Sequence, residues 1–162
     1  MPSQPLRVLQ AFMTVAVLWR MPLVAFLLGA SFAGMLRTSE LRHMRASDLF
    51  TLAKLLSADR VLYIALPRPK MRRLTARRAY VRVDDPTLVL WAELICERFA
   101  ADSYLIPHGY PALRRIFLAI AEEAGLGAGP SCGLTWGSVR PGGATWLLHV
   151  TNSPEFVRFR GR

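Results

Sequence analysis

The clearest structural signal lies in residues 61–86, which read VLYIALPRPKMRRLTARRAYVRVDDP. The run at 61–66 is rich in the β-branched and aromatic side chains that favour strands, and Pro67 follows it directly. Residues 79–83 form a second short run whose side chains alternate between the two faces of a strand. A strongly basic segment joins the two runs. We therefore predict an antiparallel β-hairpin with a charged tip.

Helix signals flank this hairpin on both sides. Asp85 followed by Pro86 is a typical helix start, because an acidic side chain caps free backbone N–H groups and proline suits the first turn. Pro22 predicts a similar start for the second of two apolar helices in the first third of the chain. The other predicted helices are one capped by Ser39 and running through Arg45, one from Pro86 to about Ala101, one over 111–124 ended by Gly125, one over 138–150, and a last one that begins at Pro154 with Ser153 as its cap. The predicted fold class is mainly α with a small antiparallel β-sheet (α+β), in a single domain spanning residues 1–162.

Length and composition limit the class of protein. The chain has 162 residues, of which 52% are hydrophobic and 20% charged, and its mean hydropathy is +0.27. A chain of this size buries a substantial core, and this composition excludes a disordered chain or a coiled coil. Cys96 and Cys132 are too few for a disulfide framework and lack the spacing of a zinc site, which favours a reducing compartment.

The charge balance is strongly basic. Twenty-one lysines and arginines stand against eleven acidic residues, which gives a net charge of +10 and an isoelectric point near 11.0. Nineteen of the twenty-one are arginines, whose planar guanidinium forms two parallel hydrogen bonds to a phosphate. This balance favours an anionic partner.

The apolar segment at residues 8–36 is similar to a membrane span at first sight. A span needs about 20 uninterrupted apolar residues. Arg20 and Pro22 divide this segment and leave an uncharged piece of only 16 residues, from Met21 to Leu36. The chain also begins without a clear signal-peptide pattern. We therefore expect no membrane partner, and a helical membrane-associated protein is the least favoured alternative.

A dense cluster of cations lies within the predicted hairpin, with no acidic residue between them. Such like charges repel one another unless a polyanion neutralises them, so the cluster favours contact with nucleic acid, although a solvated charged loop would have the same composition. Lys70 differs from its neighbours because a lysine can give up a proton and act as a general acid, which arginine in practice cannot. The cluster consists of Arg68, Lys70, Arg72, Arg73, Arg77, Arg78 and Arg82.

Two further arginines lie beside features that suit an anion. Arg37 ends the long apolar segment within GMLRTSEL at residues 34–41, three residues before Glu40. This spacing is that of an ordinary ion pair, but a half-buried arginine held by a carboxylate is also oriented to bind a phosphate. Arg140 lies in LTWGSVRPGGAT at residues 134–145, near a predicted helix start and before glycines that permit close approach of a backbone or ligand. A glycine-rich turn with a surface arginine would give the same pattern.

In their order and spacing, the Arg37 segment, the basic hairpin and the Arg140 segment resemble the catalytic domain of a tyrosine recombinase, the phage integrase family. GMLRTSEL is similar to the family's first arginine box, and GSVR at residues 137–140 is similar to its second box, H-x-L-R followed by small residues. The resemblance covers roughly residues 8–162. It implies that Arg37 and Arg140 are the two catalytic arginines, that Glu40 supports Arg37, and that Lys70 is the lysine of the family's hairpin.

The resemblance also implies an activity and its partners. In the family, a tyrosine attacks the scissile phosphate of double-stranded DNA, the arginines stabilise the charge on the nonbridging oxygens, and the lysine protonates the leaving oxygen. No metal or cofactor takes part. A possible homo-oligomer on DNA is implied, together with a role in DNA recombination and integration by a mobile element. The expected location is the nucleus of a eukaryotic host and otherwise the nucleoid in the cytoplasm.

Two departures from the family pattern limit these expectations. Gly137 occupies the position of the second box's histidine, and every tyrosine of the chain precedes Arg140, so no residue matches the nucleophile. The chain is therefore expected to bind DNA without cleaving it. Two alternatives remain open: a recombinase-derived nucleic-acid-binding module that has lost the chemistry and, less favoured, the membrane-associated protein. The three histidines, which are His43, His108 and His149, are interpreted as structural or surface residues.

Overall fold

The structure is a computed structural model that describes residues 4–51, 60–66, 79–106, 109–127 and 133–161. It is mainly helical with a three-stranded antiparallel sheet, which confirms the predicted α+β class. The elements are α1 (Gln4–Leu18), α2 (Pro22–Ala33), α3 (Thr38–Leu41), β1 (Leu49–Phe50), β2 (Leu62–Leu66), β3 (Ala79–Val83), α4 (Pro86–Arg98), α5 (Gly109–Glu123), α6 (Val139–Thr151) and α7 (Pro154–Gly161), with 3-10 turns at Ala46–Asp48 and Trp136–Ser138.

The chain divides into two compact units. The helical unit comprises residues 1–38 and 108–162, and the sheet unit comprises residues 39–107. α1, α2, α5, α6 and α7 belong to the helical unit, whereas the three strands and α4 belong to the sheet unit. The single recombinase-core-like domain expected over residues 1–162 stays a prediction.

α2 is the most deeply buried helix of the helical unit. Its residues 24–32 are all buried, as its almost uniformly apolar sequence requires. α1 and α6 pack against α2, and α5 packs against α1. The ring of Phe117 lies 5.2 Å from that of Phe12 and 5.6 Å from that of Trp136. Because burial of each large side chain contributes about 1.5–3 kcal/mol, these rings fix α1, α5 and the Trp136–Ser138 turn to one another.

The turn between α1 and α2 shows why the apolar segment at residues 8–36 is divided. α1 ends at Leu18, Arg20 adopts a left-handed conformation with φ of 59°, and Pro22 begins α2. In the part of the chain that the structure describes, no helix has both the length and the hydropathy needed to cross a membrane.

The sheet unit is built on the predicted hairpin strands. β2 pairs antiparallel with β3 from Leu62 opposite Val83 to Leu66 opposite Ala79, which confirms both strands and their pairing. Alternate residues of β2 are buried, so one face of the sheet packs into the core. The short strand β1 adds a third member through Leu49 opposite Ile64. The predicted basic tip at 67–78 lies outside the described residues.

Helix caps account for several of the observed boundaries. The Asp85 carboxylate accepts hydrogen bonds from the Thr87 and Leu88 amides at 2.9 and 3.0 Å, which confirms the predicted start of α4. The Ser153 hydroxyl accepts one from the Phe156 amide at 3.2 Å and caps α7 as predicted. Gly125 follows α5 with φ of 75°, the conformation predicted for a glycine after a helix.

Two local predictions were wrong, and one strand was not predicted. Ser39 lies inside α3, which ends at Leu41, so it does not cap a helix running through Arg45. α4 ends at Arg98 rather than near Ala101 because Phe99 is already extended, with ψ of 139°. β1 was not predicted, since a strand of two residues is too short to show an alternating pattern.

Candidate functional site

Arg37 follows a tight turn at the end of α2. The Leu36 amide donates to the Ser31 carbonyl at 3.1 Å and the Met35 amide to the Phe32 carbonyl at 3.4 Å, the two hydrogen bonds of a Schellman motif. Met35 has φ of 48° at the position where glycine is usual, and a non-glycine residue pays about 1–2 kcal/mol for this conformation. Burial of the Met35 side chain, which is 2% exposed, offsets that cost. The turn thus fixes the direction in which the chain leaves α2 toward the half-buried Arg37.

Arg140 is presented by a second compact turn, at Trp136–Ser138, which leads directly into α6. The Ser138 amide donates to the Thr135 carbonyl at 2.8 Å, and the Thr135 amide donates to the Ser138 hydroxyl at 3.1 Å. These two hydrogen bonds close the turn from both ends. Arg140 is therefore the second residue of α6, near the helix N-terminus as predicted, and it is half-buried.

Ser31 joins the two turns. Its carbonyl accepts the Leu36 amide of the first turn, and its hydroxyl accepts the indole N–H of Trp136 from the second at 3.2 Å. The same hydroxyl donates to the Leu27 carbonyl at 2.6 Å, so it is satisfied as donor and acceptor. Ser31 and Trp136 are each 1% exposed. A buried hydrogen bond in this setting restricts how far the segments that carry Arg37 and Arg140 move apart.

The glycines after Arg140 allow α6 to lie directly against α2. A Cβ atom on Gly143 would overlap the Phe32 carbonyl oxygen and lie 3.0 Å from the Phe32 carbonyl carbon. On Gly142 it would meet the Phe32 ring at an ordinary contact distance of 3.5 Å. The prediction that a glycine here permits close approach of a backbone is therefore confirmed for Gly143, and the partner is the end of α2 that leads to Arg37, whereas the nearest neighbours of Gly142 are side chains.

The end of α7 provides a further link between the two arginine segments. The Nη2 group of Arg140 donates to the Gly161 carbonyl at 2.6 Å. A Cβ atom on Gly161 would lie 4.0 Å from the Met35 sulfur, two residues before Arg37. The Arg140 guanidinium is therefore held at the end of α7 that also lies beside the Schellman turn.

The predicted site residues divide into those that the structure brings together and those that it does not. Arg37 and Arg140 both belong to the helical unit. The segments that carry them are linked by the Trp136–Ser31 hydrogen bond and lie together at Gly161, whose carbonyl accepts from Arg140. Glu40 is a buried residue of α3, 8% exposed, in the sheet unit, and its pairing with Arg37 stays a prediction. Gly137, which the resemblance predicts to stand at the second-box histidine position, is exposed in the turn before Arg140.

Most of the predicted basic cluster falls outside the described residues. This applies to Lys70 and to the predicted DNA-binding residues Arg68, Arg72, Arg73, Arg77 and Arg78. The convergence of Lys70 with Arg37 and Arg140 therefore stays a prediction. At the described edge of the cluster, Arg82 forms an exposed ion pair with Asp84 at 2.6 Å. Such a surface pair contributes little to stability.

Arg45, in the sheet unit, contacts an aromatic ring that the sequence did not pair with it. The Arg45 guanidinium lies 4.6 Å from the centre of the Tyr104 ring, and its Nη2 donates to the Tyr104 hydroxyl at 2.8 Å. This hydrogen bond, together with the electrostatic interaction with Tyr104, raises the pKa of Arg45 above its usual value. Because Arg45 and Tyr104 are far apart in the chain, no spacing pattern could have paired them.

Comparison with known proteins gives no match to any protein-family model, any curated protein or any solved structure. Among the described residues, no group of three or more histidine, cysteine, aspartate or glutamate side chains is placed to hold a metal ion.

Proposed function

We propose that this chain is a DNA-binding piece of a tyrosine-recombinase-like catalytic core, in which Arg37 and Arg140 hold one phosphate of the DNA backbone. The observation that carries this proposal is the Ser31–Trp136 hydrogen bond of 3.2 Å, which joins the segments of the two arginines. A phosphate bound by two guanidinium groups needs both of them in place before it arrives, because ordering long side chains on binding costs free energy.

The burial of the arginines supports the same function. Both are half-buried, and Arg140 is further held by the Gly161 carbonyl. Restraint of this kind reduces the entropy that is lost on binding, while guanidinium N–H groups form strong, charge-assisted hydrogen bonds to phosphate oxygens. The net charge of +10 adds a long-range attraction to DNA that depends on salt.

In this function the arginines stabilise the charge that develops on the nonbridging oxygens when the phosphodiester is attacked. Lys70 supplies the proton for the leaving oxygen, and Glu40 orients Arg37. The attacking group is a tyrosine that has no counterpart after Arg140 in this sequence. The reaction class is DNA strand transfer through a phosphotyrosyl bond, and this chain supplies the phosphate-binding part of that reaction.

A DNA-binding titration over a range of KCl concentrations tests the two arginines. We expect Arg37→Ala and Arg140→Ala each to weaken binding of a fluorescein-labelled duplex by about tenfold and to reduce the salt slope by about one, because each removes a phosphate contact. Fluorescence anisotropy provides the affinities. Circular dichroism of each variant verifies that the fold is intact.

Arg115→Ala is the matched control, since it removes the same charge from an exposed position on α5 in the same unit. We expect it to change the affinity less than threefold and to leave the salt slope intact. Equal losses in all three variants would show that total charge, rather than a phosphate-binding pair, governs binding, and would contradict the proposal.

The basic segment between β2 and β3 is tested separately. We expect the triple variant Arg68→Ala, Arg72→Ala and Arg73→Ala to reduce the salt slope by about three, if each of the three arginines neutralises one phosphate. The strands on either side of this segment pair over five positions. An unchanged β-sheet signal in circular dichroism therefore shows that the triple variant still folds. A slope equal to that of the unmodified chain would remove this segment from the DNA-contacting surface.

The second candidate function is a recombinase-derived module that binds nucleic acid without chemistry. Gly137 favours it, because this exposed residue has no side chain to act where the family's second box has a histidine. In this alternative Arg37 and Arg140 still hold a backbone phosphate, and no proton is transferred by the second box.

A further inference from the structure

The helical unit contains a cleft of about 480 Å³ between α1, α2, α5 and the start of α6. Leu28, Phe12 and Phe117 form its buried floor, and Val8 and the exposed Leu126 lie on its rim. Protein interiors seldom leave voids much larger than a water molecule, and a water occupies about 30 Å³ of the liquid. At about 480 Å³ the cleft is many times larger than one water molecule and lies within the range of pockets that bind small molecules, about 300–1,000 Å³.

The lining of the cleft has a simple chemical character. Among the described residues that line it, none is charged and Ser138 alone has a polar side chain. Within the described part of the chain, the Ser138 hydroxyl accepts the Thr135 amide at 3.1 Å and has no assigned acceptor for its own proton. The cleft thus presents aliphatic and aromatic walls with one hydrogen-bond donor at its edge.

Gly142 keeps the cleft open on the side of α6. Its missing side chain leaves the Phe32 ring and Pro5 as the nearest neighbours, at 3.5 and 3.8 Å from where a Cβ atom would lie. Phe32 cannot turn freely into the space because it packs against Trp146, with the ring centres 5.8 Å apart. This contact holds the Phe32 wall of the cleft in place before any ligand arrives.

We propose that this cleft binds a neutral, mainly aliphatic small molecule that carries one oxygen able to accept a hydrogen bond from Ser138, such as a medium-chain alcohol. A charged ligand would lose its hydration without gaining a partner of opposite charge in this lining, which disfavours it strongly. An aliphatic chain instead gains from leaving water in proportion to the area that it buries. The cleft shares Ser138 with the turn that presents Arg140, but its uncharged ligand is chemically distinct from DNA, so octanol binding and DNA binding are measured independently and either proposal can fail alone.

Titration of the isotopically labelled protein with 1-octanol, followed by amide NMR shifts, tests the proposal. We expect saturable shifts in the submillimolar range that are centred on Leu134, Ser138 and Gly142, and a melting temperature that rises with octanol concentration. Ser138→Ala is expected to weaken binding by about fivefold through loss of one hydrogen bond. Shifts that increase linearly without saturation, or that spread over the whole chain, would overturn the proposal.

Cleft-filling variants provide the decisive comparison. Val8→Phe places a ring in the cleft and is expected to weaken octanol binding at least tenfold, whereas Leu148→Phe, on an exposed part of α6 outside the lining, is expected to leave it unchanged. If Val8→Phe does not fold, Leu126→Trp performs the same test from the rim, where Leu126 is 38% exposed and a larger side chain is tolerated. Equal octanol binding by a folded cleft-filling variant and the Leu148→Phe control would overturn the proposal.

Discussion

Gly143→Ala is expected to lower the free energy of unfolding by about 3 kcal/mol or more, because the added methyl group has no space. Its Cβ would overlap the Phe32 carbonyl oxygen, which is backbone and cannot turn aside as a flexible side chain can. The same carbonyl accepts the Met35 amide at 3.4 Å. Relief of the overlap must therefore displace α6 from α2 or disturb the turn that leads to Arg37.

Gly142→Ala is the matched control for this prediction. It adds the same methyl group one residue earlier in α6, where the nearest atom lies at an ordinary contact distance of 3.5 Å. Alanine also favours the helix over glycine by about 1 kcal/mol, so we expect Gly142→Ala to be neutral or stabilising. Urea unfolding followed by circular dichroism measures both variants. A stability difference between them of less than about 1 kcal/mol, which is below the usual cost of overpacking, would contradict the close approach of α6 to α2.

This overlap also shows how much of the site the sequence reveals. The glycines at 142 and 143 predict close approach of a backbone or a ligand, and the structure confirms a backbone contact at Gly143, but the sequence does not identify Phe32 as the partner. Local signals succeed where the cause is local: Asp85 caps α4 because its carboxylate lies next to the amides that it accepts. The strands of the hairpin were predicted for the same reason, from their own composition.

Contacts between distant parts of the chain explain what the sequence did not predict. The Ser31–Trp136 hydrogen bond joins residues 105 positions apart, and neither residue belongs to a pattern that suggests the other. Met35 takes a left-handed conformation where Gly34 would be the expected candidate, because the tertiary packing of a buried methionine outweighs local preference. The division into two compact units likewise depends on contacts between residues 1–38 and 108–162, which no local pattern encodes.

Trp136→Ala is expected to destabilise the protein by about 3–5 kcal/mol, the usual cost of removing a large buried aromatic side chain. Trp136 is 1% exposed, and its ring lies 5.6 Å from that of Phe117, so the alanine variant leaves a cavity beside the aromatic cluster. Trp136→Phe keeps most of the ring contact and loses the hydrogen bond to Ser31. We expect it to cost less than half as much as Trp136→Ala in the same urea unfolding experiment.

A double-mutant cycle separates the hydrogen bond from the packing. Ser31→Ala leaves the buried indole N–H without its acceptor, which costs about 1–3 kcal/mol, whereas Trp136→Phe leaves a Ser31 hydroxyl that still donates to the Leu27 carbonyl. The double variant has no orphaned donor, so its cost should fall below the sum of the two single costs by at least about 0.5 kcal/mol. Strictly additive costs would mean that the bond does not hold the two arginine segments together. A coupling of the expected size, accompanied by a weaker affinity of Ser31→Ala for duplex DNA, would connect this buried contact to the placement of Arg37 and Arg140.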